Sequence, residues 1–242
     1  KSNIGKPYQK IGGKSLVEIN VNKAKQSTQI KKIILVYNKL DSKRVKALML
    51  KNVKLILGGK NRQQSTYNAL KYLIKEKGIS KVLIHDVARP NFSIKLFNSI
   101  IKNMKNAKAV IPKIDIQDAV KQRFETSKDE YIIGRNRSDL FLTQTPQAFN
   151  LKEVYRLHKS NYAKYKDDDI SLYMDLNKVK FIEGEKNNFK ITFQSDFENL
   201  KNIYKSKQSF GIGFDVHRLI PKRKLYLAGL KIKSTLGTLG HS

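Results

Sequence analysis

The chain contains no cysteine. That excludes a disulfide framework, a thiolate zinc site and a cysteine nucleophile. Glycine and proline number only 13 and 5, so most of the chain is expected to fold. No apolar run approaches the ~20 residues of a membrane span, and no secretory signal opens the chain. A cytoplasmic protein is the expectation. Acidic residues are scarce, 20 Asp and Glu against 49 Lys and Arg, for a formal charge of +29. Such a balance invites a nucleic-acid reading. Yet lysine outnumbers arginine 40 to 9, and the lysines are scattered among Ile and Asn. Nucleic-acid readers use arginine forks and exposed aromatics, and no such cluster stands out. A lysine-rich, non-enzymatic nucleic-acid-binding module is kept only as the alternative. An attraction for phosphorylated small molecules remains open.

The 242 residues, 40% of them apolar, suit one large α/β domain or one domain and a small second one. Apolar runs of strand length at 32–37, 53–57, 82–85 and 107–112 alternate with helical patterns at 15–24, 42–48, 61–74 and 93–104. That alternation predicts a doubly wound, mostly parallel sheet. Residues 114–142 break the rhythm. They read as an antiparallel β-arm, which either reaches a second subunit or stands in solvent as a hairpin. A helix is expected at 151–159, and Asp167-Asp168-Asp169 suit the head of another. Strands at 179–182 and 189–192 precede a helix at 195–204, where Ser195 and Glu198 have capping-box spacing. After a basic joint at 205–208 the pattern restarts. The reading is a first domain over 1–205 and the start of a second α/β domain over 209–242. The chain opens without methionine and stops straight after a Gly-rich turn, so both ends read as cut.

Three places carry candidate chemistry. KVLIHDVARP, 81–90, runs an apolar strand into His85-Asp86 and is broken at Arg89-Pro90. In open α/β sheets ligands sit beyond the carboxyl ends of strands. Asp86 and Arg89 then either face a phosphorylated ligand and its metal or form a surface pair. Gly58-Gly59 lies between a strand and a helix: either a plain strand-to-helix turn, or a place where a backbone without Cβ lets a ligand approach and free N–H groups meet an anion or a base edge. Arg62 and Ser65 sit on the following helical turn. Asp215 and His217 have strand spacing, which points both side chains to one face. They suit two ligands of a divalent metal or a plain surface pair.

The strings GGKNRQQS, LIHDVARP, DAVK, RSDLFLTQTPQAF, DDD and EGEKNNFKIT stand in that order between residues 6 and 200. Together they resemble the 2-C-methyl-D-erythritol 4-phosphate cytidylyltransferases of the non-mevalonate isoprenoid pathway. FGIGFDVHRL, LAGLKI and LGHS resemble the opening of the 2-C-methyl-D-erythritol 2,4-cyclodiphosphate synthases. Some bacteria fuse the two enzymes in this order.

The resemblance implies a Rossmann-like nucleotidyltransferase domain. It would move CMP from CTP to methylerythritol phosphate, release pyrophosphate and use Mg2+. Lys6 matches the lysine that stabilises the transition state. Gly59, Arg62 and Ser65 match the segment around the cytosine end of CTP. Asp86 matches the acid at the nucleotide and metal, and Arg89 its neighbour near the sugar phosphate. Arg137 and Lys190 match the pair that positions methylerythritol phosphate, and Thr145 a substrate-pocket threonine. The arm implies a homodimer, and the second domain a trimer of the fused protein.

In the second family, a lyase that eliminates CMP, Asp215 and His217 match ligands of a divalent metal such as Zn2+. His241 and Ser242 match its substrate-contacting pair, and the third metal ligand falls past Ser242. There are departures in the first. The family opens with a strand and a loop of the form A-A-G-x-G-x-R around the CTP phosphates, and nothing before Lys6 supplies it. Ala119 and Asp167 stand where threonine is usual. The chain as it stands is expected to be weak or inactive as a cytidylyltransferase and inactive as a cyclase.

Overall fold

Residues 109–111 show how the core is laid out. Ala109 and Ile111 pack on one side with Leu70, Leu73, Phe149, Leu151 and Val154. Val110 faces the other way, into Leu96, Phe97, Ile100 and Ala148. Side chains alternate across a strand, so one strand feeds two cores and the sheet is covered by helices on both faces.

A computed structural model describes residues 5–125, 130–161, 168–173, 177–205, 214 and 216–240. They divide into two compact units, Lys1–Tyr204 and Lys205–Ser242. In the first, the ribbon β1 (Lys10–Ile11) and β2 (Lys14–Ser15) enters α1 (Leu16–Lys25). The Ser15 hydroxyl accepts from the Glu18 amide, and the Glu18 carboxylate accepts from the Ser15 amide, which fixes where α1 starts. Then follow β3 (Ile33–Tyr37), α2 (Ser42–Ala47), β4 (Val53–Leu57), α3 (Arg62–Leu73), β5 (Lys81–Ile84), α4 (Ile94–Asn103) and β6 (Ala109–Asp115). The excursion is a hairpin of β7 (Val120–Glu125) and β8 (Glu130–Arg135). The chain returns through β9 (Phe141–Thr143), β10 (Gln147–Asn150), α5 (Leu151–Ser160), β11 (Val179–Glu183) and α6 (Gln194–Lys205).

The large sheet has the order β11-β6-β10-β5, with β9 also on β6. β10 is antiparallel to both β5 and β6, and β11 is parallel to β6. Hence β5, β6 and β11 run in one direction and β10 is the reversed strand among them. The expected α/β architecture holds, with a mixed sheet. β3 and β4 form a separate parallel pair. Among the described residues β3 and β5 each carry a ladder on one side only. Both line a cavity of about 760 Å³, with Ile34 and Val36 from β3, Val82 and Ile84 from β5, and Val21 and Leu70 from the covering helices.

Three local expectations are corrected. Residues 189–192 are not a strand; a single amide, that of Ile191, reaches the Ala88 carbonyl. Asp168 and Asp169 lead into a single 3-10 turn, Ile170–Leu172, rather than a longer helix, with Asp169 turned into the core; Asp167 lies outside the described residues. Ser195 lies inside α6. The Asp196 carboxylate accepts from the amides of Thr192 and Phe193 instead, at 2.9 and 2.8 Å. In the second unit β12 (Arg218–Pro221) pairs with β15 (Leu236–Leu239), and β13 (Leu225–Leu227) with β14 (Leu230–Ile232), all antiparallel.

Candidate active site

β5 delivers Asp86 to the rim of the sheet, where a turn closed by the Arg89 amide on the Asp86 carbonyl, 2.9 Å, holds it. Two cations meet its carboxylate. Arg62 Nε donates to Oδ1 at 3.2 Å, and Lys190 Nζ lies 3.1 Å from Oδ2. Arg62 opens α3, directly after the β4 loop, so the carboxyl ends of β4 and β5 lie on the same side. Arg62 has a second carboxylate partner. Its Nη2 lies 2.7 Å from Asp169, which is 1% exposed and whose other oxygen is 3.0 Å from His158 Nε2. Burial alone would raise the Asp86 carboxyl; Arg62 and then Lys190 outweigh it and hold the group below the usual carboxylate range. Burial also opposes the charge on Arg62, but Asp169 and Asp86 together keep its affinity for the proton above the ordinary value.

The β4–α3 loop is built for close approach. The Ser65 hydroxyl accepts from the Gly59 amide at 3.0 Å and donates to the Asn61 carbonyl at 2.8 Å. Asn61 caps α3 by accepting from the Gln64 amide. A Cβ on Gly59 would lie 2.5 Å from Gln64 Cβ, so only glycine fits that turn without movement.

Arg89 is half-buried and tied to main chain, through Nη1 to the Asn188 carbonyl at 2.8 Å. Burial pulls its guanidinium below the ordinary arginine value, and Asp86 partly offsets that. The Thr145 hydroxyl, 4% exposed, is engaged by the Asp86 amide at 3.0 Å and by His85 Nδ1 at 3.1 Å. Burial pushes His85 down to about 4, so the ring is neutral. Lys6 donates to the Thr192 carbonyl, two residues along from Lys190. The segment 188–192 therefore contacts Lys6, Arg89 and Asp86. Arg137, by contrast, follows the arm and donates to the Gln117 carbonyl at 2.5 Å rather than to any member of this cluster.

Asp215, His241 and Ser242 lie outside the described residues, as does Asp167. His217 packs its ring on the Gly240 backbone, where a Cβ would come within 2.5 Å, and its Nδ1 is 3.3 Å from the Leu239 carbonyl. No group of three or more His, Cys, Asp or Glu side chains that could hold a metal ion occurs among the described residues. The Asp86 carboxylate could serve as a donor to a divalent ion completed by substrate phosphates and water.

Sequence reasoning missed Asp169, His158, Asn20 and Lys23. Asp169 reads as a helix-head acid and His158 as an ordinary helical residue. Asn20 and Lys23 sit on the inner turn of α1. Lys23 Nζ donates to the carbonyls of Pro90 and Phe92 at 2.8 and 2.9 Å, which pins the loop after Asp86. Nothing in local spacing signals these contacts, because each joins segments more than ten residues apart.

The family model for 2-C-methyl-D-erythritol 4-phosphate cytidylyltransferase (IspD) matches residues 1–206, and that of the YgbB family matches residues 209–242. The chain is 46% identical over 242 residues to a bifunctional enzyme IspD/IspF of Pelagibacter ubique, covering all of this chain and 62% of the relative. A crystal structure of 4-diphosphocytidyl-2C-methyl-D-erythritol synthase from Anaerococcus prevotii superposes with a TM-score of 0.72 at 32% identity, over 86% of this chain and 92% of that one. The bifunctional IspDF of Campylobacter jejuni matches all of this chain and 62% of its own, with a TM-score of 0.68 at 27% identity. The chain thus spans about three fifths of the length of the bifunctional relatives it matches. Neither family supports the nucleic-acid-binding alternative. No helix among the described residues is long and apolar enough to cross a membrane. By the match over residues 1–206, the chain belongs to the 2-C-methyl-D-erythritol 4-phosphate cytidylyltransferase (IspD) family.

Proposed function

We propose that the chain is part of an enzyme that transfers CMP from CTP to 2-C-methyl-D-erythritol 4-phosphate and releases pyrophosphate, in non-mevalonate isoprenoid biosynthesis. In this reading a phosphate oxygen of the sugar attacks the α-phosphorus of CTP, and the bond to the β-phosphate oxygen breaks. Little covalent chemistry is asked of the protein, so catalysis is positioning and charge neutralisation. The observation that carries the reading is the convergence of Arg62 and Lys190 on Asp86 at the carboxyl end of β5.

The roles in this reading carry the family's assignments onto that geometry. Gly59 and Ser65 offer a Cβ-free loop to the cytosine end, and Arg62 holds that loop to Asp86. Lys190 and Arg89 supply positive charge for the sugar phosphate. Lys6, beside the 188–192 segment, supplies charge where it develops at the α-phosphate. Thr145 borders the sugar pocket. Arg137 would complete it from the partner of a homodimer joined through the 114–142 arm. Asp86 would hold Mg2+, which when bound neutralises phosphate charge. In the second unit Asp215 and His217 would hold a divalent metal such as Zn2+, and His241 and Ser242 would contact substrate. That domain would be a cyclodiphosphate synthase and would assemble as a trimer. A cytoplasmic location follows from the substrates.

The test is pyrophosphate release by the full-length protein from CTP and methylerythritol phosphate, with Lys190→Ala and Lys6→Ala beside it. Release that both substitutions cut by ~100-fold or more is expected, since each removes a charge from the transition state. No release from CTP, but a salt-sensitive thermal shift with duplex DNA, would overturn the reading.

A further inference from the structure

Four groups behind the candidate site form one closed hydrogen-bonded chain, and its proton directions can be worked out. Asn20 Nδ2 faces two carbonyls, those of Leu16 at 2.7 Å and Val87 at 3.0 Å. Carbonyls only accept, so the amide nitrogen belongs there and Oδ1 faces His85. His85 Nε2 then meets two acceptors, Asn20 Oδ1 at 2.8 Å and the Arg89 carbonyl at 3.1 Å. It must carry the proton. Of the two groups hydrogen-bonded to the Thr145 hydroxyl, the Asp86 amide can only donate, so the hydroxyl proton goes to Nδ1, which is bare, at 3.1 Å. That hydroxyl keeps a lone pair for the Asp86 amide, which donates at 3.0 Å. Every donor in the chain then faces an acceptor.

We propose that Asn20 and His85 are positioning residues for the Asp86 carboxylate, acting through the Thr145 hydroxyl on the Asp86 main chain. The inference rests on the cytidylyltransferase reading for its kinetic consequences. The packing around the chain supports it. Phe92 stacks edge-on to His85 with ring centroids 4.7 Å apart, and Lys23 closes the far side of the same loop on the Pro90 and Phe92 carbonyls. The Asp86 amide is thus anchored through α1 and through the residue that leads into β10, while Arg62 and Lys190 hold the side chain. A carboxylate with main chain and side chain both fixed stays in place when a phosphate arrives. The assignment also changes the part given to Thr145. Its proton and one of its two lone pairs are used inside the protein and the residue is buried, so its part is to orient Asp86 rather than to contact the sugar.

The test uses the full-length enzyme with Asn20→Leu, Thr145→Val and Thr145→Ser. Thr145→Val keeps the shape and loses the hydroxyl. We expect it and Asn20→Leu each to lower kcat ~10- to 100-fold with KM for both substrates within ~3-fold, as for a misplaced reacting group. Thr145→Ser should recover most of the kcat that Thr145→Val loses. The double variant Asn20→Leu/Thr145→Val should be no slower than the slower single one, since both cut the same chain. A Thr145→Val enzyme with unchanged kcat and a raised KM for methylerythritol phosphate would make Thr145 a substrate contact and overturn the proposal. So would additive losses in the double variant. If Asn20→Leu fails to fold, the Thr145→Val and Thr145→Ser pair still decides. A second readout needs no turnover. Nitrogen-15 NMR should find His85 protonated on Nε2 and bare on Nδ1, and Thr145→Val should shift the Asp86 amide. The opposite tautomer sinks the network even in an active enzyme. An inactive wild type with the expected tautomer would sink the cytidylyltransferase reading and leave the network standing.

Discussion

Arg62 Nη2 lies 2.7 Å from the carboxylate of Asp169, a residue only 1% exposed and set beneath the candidate site. The bond couples the site to the core, since the other Asp169 oxygen meets His158 on α5 at 3.0 Å. Removing Asp169 takes from Arg62 its more buried partner and from His158 Nε2 its acceptor, and breaking a buried pair typically costs about 3–5 kcal/mol. Asp169→Ala is expected to destabilise the first unit by about that amount, read as a lower urea midpoint with an unchanged slope.

Gly59 gives a prediction about binding. An added methyl would sit 2.5 Å from Gln64 Cβ and 3.1 Å from the Gln64 carbonyl carbon, at the start of α3. Gly59→Ala must push the loop away from that helix, at about 1–3 kcal/mol for an overpacked contact. A weaker affinity for CTP is expected, measured as a raised Kd by titration calorimetry, with smaller change in the affinity for methylerythritol phosphate.

Asp168 supplies a pH dependence. Burial would raise its carboxyl, but donors from Ser171, Thr143 and Gln147 hold it below the ordinary value. A carboxyl depressed in the folded state contributes stability above its unfolded pKa of ~3.9. That contribution is lost as pH falls through the lower, folded value. Wild type should therefore exceed Asp168→Asn in urea midpoint at pH 6, and the gap should close below pH ~4. A gap that stays constant down to pH 2.5 would contradict this.

The cavity between β3 and β5 predicts dye binding. Its apolar walls, at about 760 Å³, offer room for an aromatic probe. The 242-residue polypeptide should enhance the fluorescence of an anilinonaphthalene sulfonate at neutral pH while its near-UV circular dichroism stays native. Ala69→Trp, which places a large ring in the cavity wall, should reduce that enhancement.

Most of the first unit is legible from residue patterns. The apolar runs at β3, β4 and β5 and the periodic stretches of α1, α3, α4 and α5 fall within a few residues of their expected places, because each is set by local periodicity. The reversed direction of β10 is not legible, since a four-residue strand carries no mark of its direction. The 189–192 stretch alternates like a strand but has only the Ala88 carbonyl to pair with. At the site, Asp86, Arg89, Arg62 and Lys190 are found from motif strings. Asp169 and His158 are not, because their partnership depends on α5 and the 168–173 turn meeting beneath α3. Arg137 is placed by its string at the substrate, whereas within one chain it contacts Gln117.

The separation of β3 and β4 from the five-stranded sheet has a consequence for how the first unit opens. No ladder joins the pair to the larger sheet among the described residues, so its hold on the rest is side-chain packing through α1 and α3. Proteins open in cooperative subunits whose amides share an exchange rate. In the 242-residue polypeptide the amides of Leu35 and Leu55 should therefore exchange with solvent as one group, faster than those of Val110 and Phe149. There the Gly58-Gly59 loop after β4 belongs to the looser group and Asp86 to the tighter one, so Arg62 spans the seam between two parts of different stability.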